Sequence, residues 1–291
     1  MPYLALNFDL GRLGAEQVEE LCFELGALSV SLSDARDDAV LEPAPGEVRL
    51  WPATRVQALF AGAVDAGSMR EALAAGLGIA AASLVVEQIA DRVWEREWLK
   101  DFHAMRFGRR LWICPQHESV KDPAAVIVRL DPGLAFGTGT HPSTALCLDW
   151  LDEQLRGSEY VIDYGCGSGV LAIAAAKLGA RRVAAFDIDP QALLATAENA
   201  ERNLVHDRLL VCPNGTELTT GADLLLANIL AGTLCELAPR LAALVRPGGT
   251  ILLAGILSEQ APAVTAAYSS CFDIVPAGQR ESWIALSGRR H

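Results

Sequence analysis

The stretch Val161-Ile162-Asp163-Tyr164-Gly165-Cys166-Gly167-Ser168-Gly169 constrains this chain more than any other. An apolar strand ends, the chain turns on three glycines at alternate positions, and an alanine-rich helix begins. Glycine is needed where φ is positive and where backbone must approach a ligand closely. A strand, turn and helix of this kind place a ligand outside the carboxyl ends of a parallel sheet, against a helix N-terminus. The dinucleotide fingerprint GxGxxG requires glycine at position 170, but Val170 stands there and Gly169 falls one residue early. A pyrophosphate needs anion-binding amides at that turn. S-adenosylmethionine has no phosphate and tolerates the different turn.

The next strand ends in Ala185-Phe186-Asp187-Ile188-Asp189-Pro190. A carboxylate there can accept both ribose hydroxyls of a nucleoside. Two aspartates compete for that place. Asp189 precedes Pro190, which suits a first helical position, so Asp189 reads as the N-cap. Asp187 is left for the ribose.

Around these motifs the chain divides. Residues 1–90 read as β-α-β-(β)-β-α-β, the order of a ferredoxin-like α+β sandwich. The possible extra strand falls near Val48 to Trp51. Residues 91–115 read as a linker. Trp94, Trp98 and Phe102, spaced four apart among charges, predict a helix with one aromatic stripe. Residues 116–291 alternate strand and helix, from a strand at Val126 to Leu130 onward. That alternation gives a mostly parallel α/β sheet covered on both faces. The last two strands, joined without a helix, predict an antiparallel edge.

Composition excludes several classes. The net charge of −12, from 24 basic and 36 acidic side chains, leaves no basic footprint for nonspecific nucleic-acid binding. Direct nucleic-acid contact is therefore not expected. Seven cysteines without a CxxC pair argue against a disulfide framework or a zinc site, and suggest a reducing, cytoplasmic setting. Cys114 and His117 form a lone pair at ligand-like spacing and read as structural; no metal is expected. The N-terminus lacks the basic and apolar regions of a signal peptide. The longest uncharged apolar stretch, about Ala72 to Val86, is too short to span a membrane.

Two further places carry candidate chemistry. The loop Asp131-Pro132-Gly133-Leu134-Ala135-Phe136-Gly137-Thr138-Gly139-Thr140-His141-Pro142-Ser143-Thr144 precedes a helix that Ser143 or Thr144 can cap. It has no Gly-Lys-Ser/Thr and so is not a phosphate loop. It reads as a lid, with His141 either a substrate contact or a hydrogen-bonded loop histidine. Asn228 ends the strand Leu224-Leu225-Leu226-Ala227, where its amide can hold a cofactor or accept a hydrogen bond from an amine.

At these residues the chain resembles the ribosomal protein L-eleven methyltransferases (PrmA family). The resemblance rests on Trp94-Glu95-Arg96-Glu97-Trp98, Met105-Arg106-Phe107-Gly108, Leu111-Trp112-Ile113-Cys114-Pro115, the 131–144 loop, the glycine turn, Asp187 to Pro190 and Asn228-Ile229-Leu230-Ala231. It implies a class I, Rossmann-like seven-stranded sheet after a small substrate-recognition domain. It also implies methyl transfer from S-adenosylmethionine to lysine ε-amines and the α-amine of large-subunit ribosomal protein L-eleven, before its assembly into the ribosome. By position, Thr144, Gly165, Gly167, Asp187 and Asn228 would bind the cofactor. Asn228, His141 and Phe136 would line the catalytic side, near the acceptor amine. Ser143 and Thr233 depart mildly from the family pattern. An NAD-linked oxidoreductase and a catalytically silent nucleoside-binding module remain as alternatives. Val170 argues against the first, and intact Gly165, Gly167, Asp187 and Asn228 argue against the second.

Overall fold

The computed structural model describes residues 3–36, 50–89, 103–130 and 139–291. The expected aromatic-striped helix, Phe136, Val48 and Arg49 lie outside the described residues, and Leu50 and Trp51 are described but belong to no strand. The chain forms two compact units, Met1–Glu97 and Trp98–His291.

The first unit runs β1 (Tyr3–Asp9), α1 (Ala15–Glu24), β2 (Ser29–Asp34), β3 (Thr54–Ala61), α2 (Ala66–Leu77) and β4 (Val85–Ile89). Its sheet order is β2-β3-β1-β4 with every pairing antiparallel, the ferredoxin-like topology. Alternation sorts the strands: Leu4, Leu6, Phe8, Val56, Ala58 and Phe60 face a core closed by Val18 and Cys22 of α1 and Leu73 of α2. Asp65 starts α2 by accepting from Ser68 N at 2.8 Å, and Gly78, at φ +67°, ends it.

The second unit begins with β5 (Met105–Phe107), β6 (Leu111–Cys114) and β7 (Val126–Arg129), followed by α3 (Pro142–Gln154). It continues with β8 (Tyr160–Tyr164), α4 (Val170–Lys177), β9 (Arg182–Phe186), α5 (Pro190–Arg202) and β10 (Leu209–Cys212). It closes with β11 (Ala222–Asn228), α6 (Ala231–Leu244), β12 (Val245–Leu257), α7 (Ala261–Tyr268), β13 (Phe272–Arg280) and β14 (Trp283–Arg290). Seven strands make one sheet in the order β10-β9-β8-β11-β12-β14-β13. The first five are parallel, and β14 runs antiparallel to both neighbours, as the missing helix between the last two strands predicts. Strand order reverses between β8 and β11, so the carboxyl ends of these strands open a crevice.

Both faces are covered. Val161, Leu224 and Leu226 face a core with α3 and α4, whereas Tyr160, Ile162, Leu225 and Ala227 face α6 and α7. Truncating a side chain as deeply buried as Ile162 to alanine costs about 2–5 kcal/mol.

Two expectations change. The strand at Val126 does not join the main sheet. It pairs in parallel with β6, in a separate three-stranded sheet whose buried side chains enter the α3/α4 core. At the outer edge of β7 one side chain satisfies both backbone groups of Arg129: Asn203 Oδ1 accepts from Arg129 N and Asn203 Nδ2 donates to Arg129 O, each at 2.7 Å. Secondly, Met105–Phe107 and Leu111–Cys114 fall in the stretch expected as linker, yet form strands of this unit. Cys114 is part of the same structural corner, where Arg129 Nη1 donates to its Sγ at 3.2 Å and to Glu118 O at 2.6 Å.

Candidate functional site

Three glycines of the turn hold left-handed backbone: Gly165 at φ +85°, Gly167 at +53° and Gly169 at +80°. Space demands glycine as well. A Cβ on Gly165 would sit 2.3 Å from Ile229 Cγ2, and one on Gly169 would sit 2.8 Å from Thr196 Cγ2. The turn is pinned from outside. Gly165 N and Cys166 N both donate to Phe186 O, at 2.8 and 3.0 Å. Thr196 Oγ1 donates to Gly167 O at 3.0 Å, and Asn199 Nδ2 to Ser168 O at 2.9 Å. The turn is thus preorganised before any ligand arrives.

Asp187 lies half-buried at the end of β9, one strand from the turn. Its Oδ2 accepts from Gly167 N at 2.9 Å and its Oδ1 from Asp189 N at 3.0 Å. Each carboxylate oxygen has two acceptor sites, so both keep capacity for a hydroxyl donor. Asp189 is the N-cap of α5, accepting from Gln191 N at 2.9 Å with Pro190 at the first helical position. The cap occupies Asp189 and leaves Asp187 as the candidate for a ribose. Ile188 between them is 91% exposed, an apolar side chain left open beside the two carboxylates.

Across the switch point, Asn228 ends β11. Its Nδ2 donates to Thr144 Oγ1 at 3.2 Å, joining two candidate ligands 84 residues apart. Thr144 is buried in the first turn of α3. The cap of that helix is neither Ser143 nor Thr144. His141 caps it: Nδ1 accepts from Ser143 N at 3.3 Å and lies 2.8 Å from Ser143 Oγ, with Pro142 at the first helical position. Proline there leaves the second helical N–H as the donor to satisfy, and the imidazole reaches it. An Nδ1 lone pair committed to that N–H leaves the proton on Nε2. Burial lowers the His141 pKa, and the charge of Glu281 opposes this.

Thr144, Gly165, Gly167, Asp187 and Asn228 are therefore gathered at the carboxyl edge of one sheet. Phe136 lies outside the described residues. Among the described residues no group of three or more His, Cys, Asp or Glu could hold a metal ion.

The family model described as Ribosomal protein L11 methyltransferase (PrmA) matches residues 2–291. This chain belongs to that family. A protein named Ribosomal protein L11 methyltransferase from Hahella chejuensis is 51% identical over 290 residues, covering 100% of this chain and 99% of its own. One of the same name from Pseudomonas aeruginosa is 50% identical over 291 residues, with the same coverage. A crystal structure titled as ribosomal protein L11 methylase, from Lactobacillus delbrueckii subsp. bulgaricus, superposes with a TM-score of 0.60 at 34% identity. It covers 65% of this chain and 100% of that one. The chain is thus an S-adenosylmethionine-dependent protein methyltransferase of the ribosomal protein L11 methyltransferase family, with a class I sheet.

Two residues of this methyltransferase site were not singled out by sequence reasoning. Asp163, inside the glycine motif itself, is fully buried and accepts from Ala172 N at 3.0 Å. Its Oδ1 has no hydrogen-bond partner. Burial raises its pKa to about 7, against the lowering effect of the Ala172 bond, and the charge of Asp187 adds to the rise. An acid in a strand just before a glycine turn is the signal that could have marked it. Trp283, at the start of β14, sets its ring against His141, with centroids 4.6 Å apart and planes at 71°. No local motif announces Trp283, because its partner lies 142 residues earlier.

Proposed function

We propose that this enzyme transfers methyl groups from S-adenosylmethionine to lysine ε-amines and the N-terminal α-amine of ribosomal protein L11. In this reading Gly165, Gly167, Asp187, Thr144 and Asn228 hold the cofactor, and Asn228, His141 and Phe136 border the acceptor amine. The observation that carries it is Asp187, whose carboxylate is fixed by two backbone N–H groups beside a glycine turn that has no room for a Cβ. That is a carboxylate with free acceptor capacity for ribose hydroxyls next to a turn packed too tightly for a Cβ at Gly165 or Gly169, and the residues present fit the cofactor.

When bound, the cofactor supplies an electrophilic sulfonium methyl. The chain's own contribution is position and dryness. An ammonium has no lone pair, and a free lysine is neutral in only ~0.1% of molecules near pH 7.4. Desolvation of the acceptor side favours the neutral amine. Asn228 can accept from that amine through Oδ1 while its Nδ2 remains on Thr144. His141 acts as a neutral wall and an Nε2–H donor rather than as the base, since protonating Nδ1 would break the α3 cap. The proton leaves to solvent, and rate comes from orientation.

The acceptor protein is read as free L11, before ribosome assembly, without direct nucleic-acid contact and in the cytoplasm. The first unit is read as the substrate-recognition domain. Among the described residues no helix is long and apolar enough to cross a membrane.

The test combines labelled cofactor with free L11 and with assembled large subunits, and maps products by mass. Asp187→Ala should abolish measurable cofactor binding. Asn228→Ala should lower turnover more than cofactor affinity. Full turnover with unchanged affinity in Asn228→Ala would remove its proposed role, and exclusive labelling of assembled subunits would remove the free-substrate reading.

A further inference from the structure

Two carboxylates on α3, Asp149 and Asp152, lie one helical turn apart. Asp152 is buried. Its Oδ2 accepts from Arg109 N at 2.6 Å and Arg110 N at 3.3 Å, and its Oδ1 lies 3.4 Å from Arg110 Nε. It locks the β5–β6 turn onto the helix, and Gly108 in that turn presses so close that a Cβ would meet Asp152 Oδ2 at 2.5 Å.

Asp149 divides its oxygens between two elements. Oδ1 accepts from Gly108 N at 2.7 Å, and Oδ2 pairs with Arg280 Nη2 at 3.0 Å. Arg280 is the last residue of β13 and stands in register with Trp283, the first of β14. Trp283 in turn lies against His141, the cap of α3. The hairpin therefore meets α3 twice: at the cap through Trp283, and about two turns later through Arg280. The turn between the two contacts carries Glu281 at φ +55°, a left-handed conformation unfavourable for a non-glycine residue. Such a turn has reason to relax if one anchor is lost.

We propose that Asp149 is a positioning residue for methyl transfer: by tying Arg280 to α3 it holds Trp283 against His141 and fixes the acceptor wall of the site. The proposal rests on the reading above that His141 borders the acceptor amine. Both partners of the ion pair are partly exposed, so it adds little to global stability, and its consequence is local.

Three variants test it. Arg280→Ala leaves the Asp149–Gly108 bond intact, Asp149→Asn removes charge at constant size, and Arg280→Lys restores a cation to a single-point contact. Cofactor Kd, steady-state kinetics on free L11 and the His141 imidazole NMR resonance, which the Trp283 ring current displaces, are measured for each. Cofactor Kd should stay within about twofold. For Arg280→Ala and Asp149→Asn, kcat/KM for the protein substrate should fall about tenfold, with the His141 resonance displaced; Arg280→Lys should recover most of both. An undisplaced resonance overturns the tie. A displaced resonance with undiminished methyl transfer leaves the tie standing, but overturns its role in the reaction together with the reading of His141. Parallel loss of cofactor affinity also overturns the proposal, because it signals general damage.

Discussion

Gly165→Ala tests the preorganised turn most directly. Two costs follow from the structure. Alanine at φ +85° carries the left-handed penalty of about 1–2 kcal/mol. Its Cβ would also stand 2.3 Å from Ile229 Cγ2, so Ile229 must leave its rotamer at about 0.5–1.5 kcal/mol. The sum is about 1.5–3.5 kcal/mol. If the turn keeps its shape, the loss appears in stability; if it relaxes, cofactor binding has to restore it and the loss appears in affinity. One kcal/mol lost from stability corresponds to about 2–4 °C in Tm for a domain of this size. Lost from binding, about 1.4 kcal/mol is tenfold in Kd. Calorimetric Kd for cofactor and thermal melts of the free protein, taken together, should recover the sum. Ile229→Ala in the same background should return only the steric share, leaving the φ penalty in place. A Gly165→Ala protein with wild-type Tm and wild-type Kd would refute the reasoning, as would complete rescue by Ile229→Ala.

The remaining predictions concern charge. Asp163 has a folded pKa near 7, above its ordinary 3.8, so the folded state binds the extra proton and loses stability as pH rises from about 4 through 7. Asp163→Asn, which can still accept from Ala172 N, should therefore gain melting temperature relative to wild type at pH 8 and less at pH 5; a larger gain at pH 5 would contradict this. His141 is depressed below 6.5 by burial, so the unfolded chain protonates first, and the stability it contributes is present above that value and fades as pH falls below it. An NMR titration should find its midpoint below the ordinary 6.5, and a midpoint at or above that value would overturn the cap assignment. With a net charge of −12 facing a basic ribosomal protein, KM for L11 should rise with salt while cofactor Kd barely changes. A salt-independent KM would exclude electrostatic steering.

Local chemistry carried most of what could be read early. The glycine turn, Asp189 as the N-cap before Pro190 and the strand–helix alternation each depend on neighbours within about five residues. A positive φ, a proline after a cap and an apolar period are all written within that range. The same locality misled at α3, where two hydroxyl residues looked like the cap and an imidazole one position before Pro142 took the role.

What tertiary structure alone decided depends on residues far apart in the chain. Val126–Arg129 reads as one more strand of an alternating run. Only the antiparallel β5–β6 pair beside it and the Asn203 amide on its edge remove it from the main sheet. Trp283 against His141, Arg280 on Asp149 and Asn228 on Thr144 join residues 84 to 142 positions apart. No periodicity encodes those distances, because they follow from how seven strands order themselves and where a hairpin folds back. Asp163 shows both limits in one side chain: its place before the turn was visible in the sequence, but its complete burial, and the proton that burial favours, belong to the packed fold.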